Sequence, residues 1–211
     1  SSITGLSAGT TYYVRAYATN SAGTVYGNQV SFTALNTPTV TTQSVTSIST
    51  STATGNGNVT SLGVPNPTQH GHCWSTSSSP TTSSSHTSLG AKNSTGAFTS
   101  SITGLTAGTT YYVRAYATNS VGTVYGNQVS FTALNTPTVT TQSVTSISTS
   151  TATGNGNVTS LGVPNPTQHG HCWSTSSSPT ISNSKTTLGA KSSTGAFTSS
   201  ITGLTAGTTY Y

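Results

Sequence analysis

The chain has 211 residues, five lysines and arginines together, and no aspartate or glutamate, giving a formal net charge of +5. Without carboxylates there is no paired-acid catalysis, no acid-supported nucleophile and no carboxylate-bound metal. Five scattered positives make no nucleic-acid footprint, which needs basic residues clustered on one face, and no apolar run reaches membrane-spanning length.

Ile3, Ile102 and Ile201 occupy equivalent places in near-identical stretches, so the chain repeats every 99 residues (102 − 3). A period of that size fits one β-sandwich. The first segment, residues 1–36, supplies the end of one repeat. Thr10 to Asn20 alternates apolar and polar residues with period two and predicts a strand. A turn at Gly23 and a second strand from Val25 to Thr33 follow, with Tyr26, Val30 and Phe32 on one face. Asn36-Thr37-Pro38 is a short join, stiffened by the fixed φ of proline.

Residues 37–135 make one complete repeat. Thr39–Thr42 and Val45–Ser49 read as a broken first strand. Ser51–Thr60 reads as the second, with Ala53, Gly55, Gly57 and Val59 on one face, small enough to leave room for something large opposite. Thr68–Thr76 is the third strand, and Ser77–Ser88 a polar loop around Pro80. Phe98–Ile102, then a turn at Gly104–Gly108, lead to Tyr111–Thr118, where Tyr111, Val113, Ala115 and Ala117 alternate with Tyr112, Arg114, Tyr116 and Thr118. Val124–Thr132 completes about seven strands. Residues 136–211 hold the first part of a third repeat. They differ from residues 37–112 at five positions, Thr82/Ile181, Ser84/Asn183, His86/Lys185, Ser88/Thr187 and Asn93/Ser192, all in a segment expected to be an exposed, tolerant edge. The expectation is a window from a longer tandem array, its repeats stacked end to end as a stiff rod.

The pattern L-x-A-G-T-x-Y-x-V-x-A-x-A resembles the corner of fibronectin type III and immunoglobulin-like sandwiches. The resemblance implies that Leu105 and Tyr111 are the corner pair, with Leu6 and Tyr12 their copies, and that the tyrosine hydroxyl finds a backbone partner. Ala107 departs from the proline usual there. With Gly71-His72-Cys73-Trp74-Ser75, the whole repeat is similar to the Ser/Thr-rich immunoglobulin-like repeats of large secreted or surface proteins of Bacteroidota-type bacteria. That resemblance implies an extracellular adhesin, stalk or filament, with no enzyme activity and no cofactor.

Few residues could carry chemistry. His70 and His72 are two apart on a strand and share a face, a spacing that can bind zinc or copper. Without a third ligand they read better as a hydrogen-bonded or stacked surface pair. Cys73 points the other way and reads as a small buried apolar residue. Trp74 has two placements open: outward with the histidines, or inward over Gly55 and Gly57. Outward-facing Tyr112, Arg114 and Tyr116 would form an aromatic-basic patch fit for a glycan or a neighbouring domain. Asn58-Val59-Thr60 and Asn93-Ser94-Thr95 match the glycosylation triplet. The leading expectation is a structural repeat whose partners are neighbouring copies, with strand donation between them as one mode of assembly. A glycan-binding module is the alternative.

Overall fold

The computed structural model describes residues 2–211. The chain divides into two compact units, one running through Ala133 and the other from Leu134 to Tyr211. Among the described residues there is no helix long and apolar enough to cross a membrane.

The first unit contains β1 (Thr11–Val14), β2 (Tyr17–Asn20), β3 (Gly23–Tyr26), β4 (Val30–Thr33), β5 (Thr39–Thr46), β6 (Ala53–Ser61), β7 (Gln69–Ser75), β8 (Ser85–His86), β9 (Gly96–Ile102), β10 (Thr110–Thr118), β11 (Thr123–Tyr125) and β12 (Val129–Thr132). In its first 36 residues, β1 pairs β4 and β2 pairs β3, all antiparallel. The expected long strands are therefore each split. Arg15 and Ala16 separate β1 from β2, and Gly27–Gln29 separates β3 from β4, at the point where the Gly27 amide donates to the Ala16 carbonyl.

Residues 37–133 fold as two sheets. One has the order β5-β6-β9. In the other, β10 is flanked by β7 on one side and by β11 and β12 on the other, with β8 beyond β7. All pairs are antiparallel. This three-on-five arrangement is an immunoglobulin-like, fibronectin type III-like β-sandwich. The first strand is one element with a bulge between Gln43 and Thr46, not two pieces. The Asn56 side chain fills the bulge by donating to the Ser44 carbonyl at 2.8 Å and the Thr46 hydroxyl at 3.0 Å.

Burial follows the pleat. On β6, Ala53, Gly55, Gly57 and Val59 are buried while the residues between them are half-exposed. Two apolar clusters fill the space between the sheets. Trp74, Ile102, Leu105, Tyr111, Val113 and Phe131 make the larger, and Val40, Val59, Phe98, Ala115 and Ala117 the smaller. Each large side chain removed from water there contributes about 1.5–3 kcal/mol. At the outer rim, threonines do what ion pairs do elsewhere. Thr39 meets Thr60 at 2.6 Å, Thr110 meets Thr132 at 2.9 Å and Thr118 meets Thr123 at 2.8 Å, each pair bridging neighbouring strands.

The second unit contains β13 (Thr138–Thr145), β14 (Thr151–Ser160), β15 (Cys172–Trp173), β16 (Ser184–Lys185) and β17 (Gly195–Thr202). β13-β14-β17 reproduces the three-stranded sheet, and β15 pairs β16. Its buried cluster is smaller, made of Ala152, Trp173 and Ile201, with Leu204 and Tyr210 against it.

Candidate functional site

The join between the first segment and the complete repeat is held by a dense set of polar contacts. Asn36 forms a two-way backbone bridge with Val64, with bonds of 3.0 and 3.1 Å. Gly63 sits directly against this backbone. A Cβ there would lie 2.7 Å from the Asn36 carbonyl oxygen and the Pro38 nitrogen, and the residue has φ +72°, so only glycine fits. Asn119, in the turn between β10 and β11, closes the arrangement. Its side-chain amide donates to the carbonyls of Asn36 (2.8 Å) and Pro65 (2.9 Å), and its oxygen accepts from the amides of Val121 (3.0 Å) and Gly122 (3.3 Å). Every hydrogen-bonding position of that buried amide, both donors and both oxygen lone pairs, is thus engaged within its own turn, the preceding join or the facing loop. On the other side, the Asn36 side chain lies where a Cβ on Gly9 would come within 3.0 Å of it. The second unit repeats the backbone part, with Asn135 and Val163 bridged at 2.9 and 2.8 Å.

The corner recurs three times with one geometry. The amides of Ser7, Thr106 and Thr205 donate to the hydroxyls of Tyr12 (2.8 Å), Tyr111 (3.0 Å) and Tyr210 (3.1 Å). The Ser7 amide also stabilises the Tyr12 phenolate and lowers its pKa. Leu105 and Tyr111 are both buried in the larger cluster, whereas Leu6 is exposed.

Three expectations about the surface need correction. His70 and His72 are not a surface pair. Both are buried, with their rings packed on Phe98 at 4.8 and 5.0 Å. Their Nδ1 atoms are taken, His70 by the Gly90 carbonyl at 2.8 Å and His72 by the Ser100 hydroxyl at 2.7 Å. The His72 ring fills the space over Gly55, where a Cβ would stand 2.9 Å from it. Trp74 lies on the same face and joins the core. Burial holds the His72 imidazole down to about 4, helped by the neighbouring His70 and opposed by the Asn56 backbone. Its Nε2 has no hydrogen-bond partner. Among the described residues, no three histidines or cysteines gather in a metal-binding group.

Tyr112, Arg114 and Tyr116 are not a free patch. Tyr116 is 1% exposed, because the segment after β8 folds over it. Its hydroxyl donates to the Thr87 carbonyl at 2.7 Å, and His86 meets its ring edge-on at 6.2 Å. Arg114 is half-buried, with its guanidinium 4.7 Å above the Tyr125 ring and its Nε donating to the Gly126 carbonyl at 3.0 Å. Tyr112 is half-buried. The same covering segment buries Cys73, whose thiol donates toward the Pro80 carbonyl at 3.3 Å. Burial pushes that thiol up to about 11, partly offset by Arg114. Both faces of β7 are therefore covered, one by the opposite sheet and the other by residues 80–88. The segment read as a tolerant edge does carry mostly exposed substitutions, but Thr82 is bonded to the Tyr125 hydroxyl at 3.0 Å.

Asn119 went unremarked in the sequence, and Gly63 was read there only as part of the turn Gly63-Val64-Pro65-Asn66-Pro67. The signal that could have found Asn119 is the tripeptide Thr118-Asn119-Ser120 just past a strand, since asparagine at such an end caps the following turn. Nothing local reveals its reach back to Asn36.

The chain matches no protein-family profile, and no curated protein matches it in sequence. Among solved structures it is similar to the crystal structure of chicken CNTN1 FN1-FN3 domains, with 16% identity over 95% of this chain and 68% of that one, at a TM-score of 0.35. The fold assignment rests on the strand order of this chain itself.

Proposed function

We propose that this chain is a structural repeat region of an extracellular bacterial filament or adhesin stalk, supplying length and mechanical stiffness. The observation that carries the reading is the join. Asn36 is held to the following repeat by two backbone bonds and the Asn119 amide, so pulling on the join loads the sandwich directly. Near-verbatim copying of a hundred-residue unit with a fixed connection suits a spacer, where each unit adds the same increment of reach. The shared surface of hydroxyls and amides suits an exposed, secreted chain. No reaction is assigned.

Pulling single chains by their ends tests this. Each complete sandwich should resist and then release one repeat of chain, roughly 99 residues at about 3.5 Å each, or about 35 nm. Smooth extension with no force peak would contradict a load-bearing role.

A further inference from the structure

In the complete repeat, β9 lies at the edge of the three-stranded sheet and pairs with β6 on one side only. Its copy β17 stands in the same way beside β14. Every second residue of such a strand aims its N–H and C=O away from its partner. Among the described residues, none of these groups on residues 97–101 meets the backbone of another segment. Sheet edges are ordinarily guarded by shortness, bulges, proline or charge, and the other edges of this sandwich are guarded. β5 carries the bulge between Gln43 and Thr46, and its outward Thr42 amide donates to the Asn127 side-chain oxygen at 3.2 Å. β8 has two residues, β11 three and β12 four. β9 has seven, with no bulge in its pairing, no proline and no charge. Its outward side chains, Ala97, Thr99 and Ser101, are exposed and small enough for another strand to come alongside.

We propose that β9 pairs edge to edge with β9 of a second copy of this chain, antiparallel about a two-fold axis at Thr99, joining two three-stranded sheets into one. Three features select a second copy as the partner. The strand complements itself: centred on Thr99, all its residues pair, Gly96 with Ile102, Ala97 with Ser101, Phe98 with Ser100, and Thr99 with its own mate. No charge on the edge repels an identical edge, as a lysine-guarded strand would. Threonine directly opposite threonine is already how this sandwich bonds neighbouring strands on its outer face, at Thr110–Thr132 and Thr118–Thr123. The contact is isologous, the same patch on both copies. One short ladder is a small interface and gives a weak contact. The edge recurs at β17, so an array offers it again every 99 residues. That consequence, stalks laid side by side, rests on the stalk reading; the pairing itself does not.

The test uses the full chain in sedimentation equilibrium, with both edges changed alike. The wild type should show a weight-average mass that rises above that of one chain as concentration increases. Thr99→Lys with Thr198→Lys, and separately Thr99→Glu with Thr198→Glu, should each be monomeric, because like charges then stand directly opposed. Mixed in equal amounts, the two should associate again. Both positions are exposed, so the fold tolerates the changes. Thr41→Lys with Thr140→Lys adds the same charge to exposed positions of β5 and β13, away from the edge, and should associate as the wild type does. Oxidised Thr99→Cys reads the register independently. Directly opposed Cα atoms are about 4.5–5.5 Å apart, within disulfide reach, so two copies should become linked through position 99 of each. Asn58→Cys, one strand further in, would lie about 14 Å from its mate, three strand spacings away, and should not link. Edge pairing is overturned by a wild type that stays monomeric at high concentration, or by edge variants that associate undiminished. It is equally overturned by a mixture that stays monomeric, by an equal loss in the Thr41→Lys control, or by Thr99→Cys chains that do not link through position 99. None of these results touches the force peaks expected of a single chain, so the stalk reading would stand without it.

Discussion

The side-chain amide of Asn119 donates to the backbone carbonyl of Asn36, 83 residues earlier, at 2.8 Å. It ties the turn at one end of the sandwich to the join that precedes it. Asn119→Ala removes two donated and two accepted bonds and leaves the Asn36 and Pro65 carbonyls without that donor. A loss of about 2–3 kcal/mol is expected, the cost of stranding buried polar groups. Urea unfolding monitored by tryptophan fluorescence measures it, and a midpoint unchanged from wild type would show the amide to be dispensable.

Tyr111 and Tyr12 make the same hydroxyl bond in different surroundings. Tyr111 is buried and accepts from the Thr106 amide, while Tyr12 is only half-buried and accepts from Ser7. Tyr111→Phe should cost about 1–2 kcal/mol because it strands a sheltered N–H. Tyr12→Phe should cost clearly less, since water can replace the hydroxyl. Equal losses in paired denaturation curves would contradict this dependence on burial.

How far the sequence reveals the molecule depends on the range of the interaction. Period-two alternation placed the strands, because the pleat sends neighbouring residues to opposite faces and each strand has one face in the core. The exposures of Tyr116, His70 and His72 were misread for one reason. Parity tells which face of a strand a residue occupies, but not what lies over that face. Residues 80–88, polar and loop-like in sequence, cover the outer side of β7 and part of β10. The breaks at Arg15–Ala16 and Gly27–Gln29 were likewise invisible. In the complete repeat, the Ala115 amide donates to the Thr42 hydroxyl of the opposite sheet at 2.9 Å, at the position equivalent to the Arg15–Ala16 break. That contact spans 73 residues and leaves no local pattern.

His72 makes stability depend on pH in a defined window. Its folded pKa of about 4 lies below the ordinary 6.5. The unfolded chain therefore binds the proton more readily. The contribution is fully present above pH 6.5 and is lost as the pH falls toward 4. The total is about 3 kcal/mol, at about 1.4 kcal/mol per pH unit. No carboxylate is present in the chain to offset a charge on the His72 ring. Denaturation midpoints between pH 4 and 7 should fall on acidification for the wild type and much less for His72→Gln. A flat wild-type profile would refute the assignment.

Gly71 packs against the covering segment. A Cβ there would overlap the Thr87 backbone carbonyl, which cannot move without releasing its bond from the Tyr116 hydroxyl. Gly71→Ala should cost about 2–4 kcal/mol, in the range of overpacked or strained sites. Gly122→Ala, with nothing within 4 Å, should change stability by less than about 0.5 kcal/mol. Thermal melts of the two variants give the comparison, and similar melting points would contradict it.

The central claim is that the join holds neighbouring repeats stiffly, and backbone residual dipolar couplings test it most directly. In the wild type, amides of residues 10–34 and 39–132 should fit one alignment tensor, and Asn119→Ala should split them into two with a weaker apparent order for the smaller segment. Two unequal tensors already present in the wild type would show a flexible tether at Asn36, and the account of this chain as a stiff spacer would be wrong.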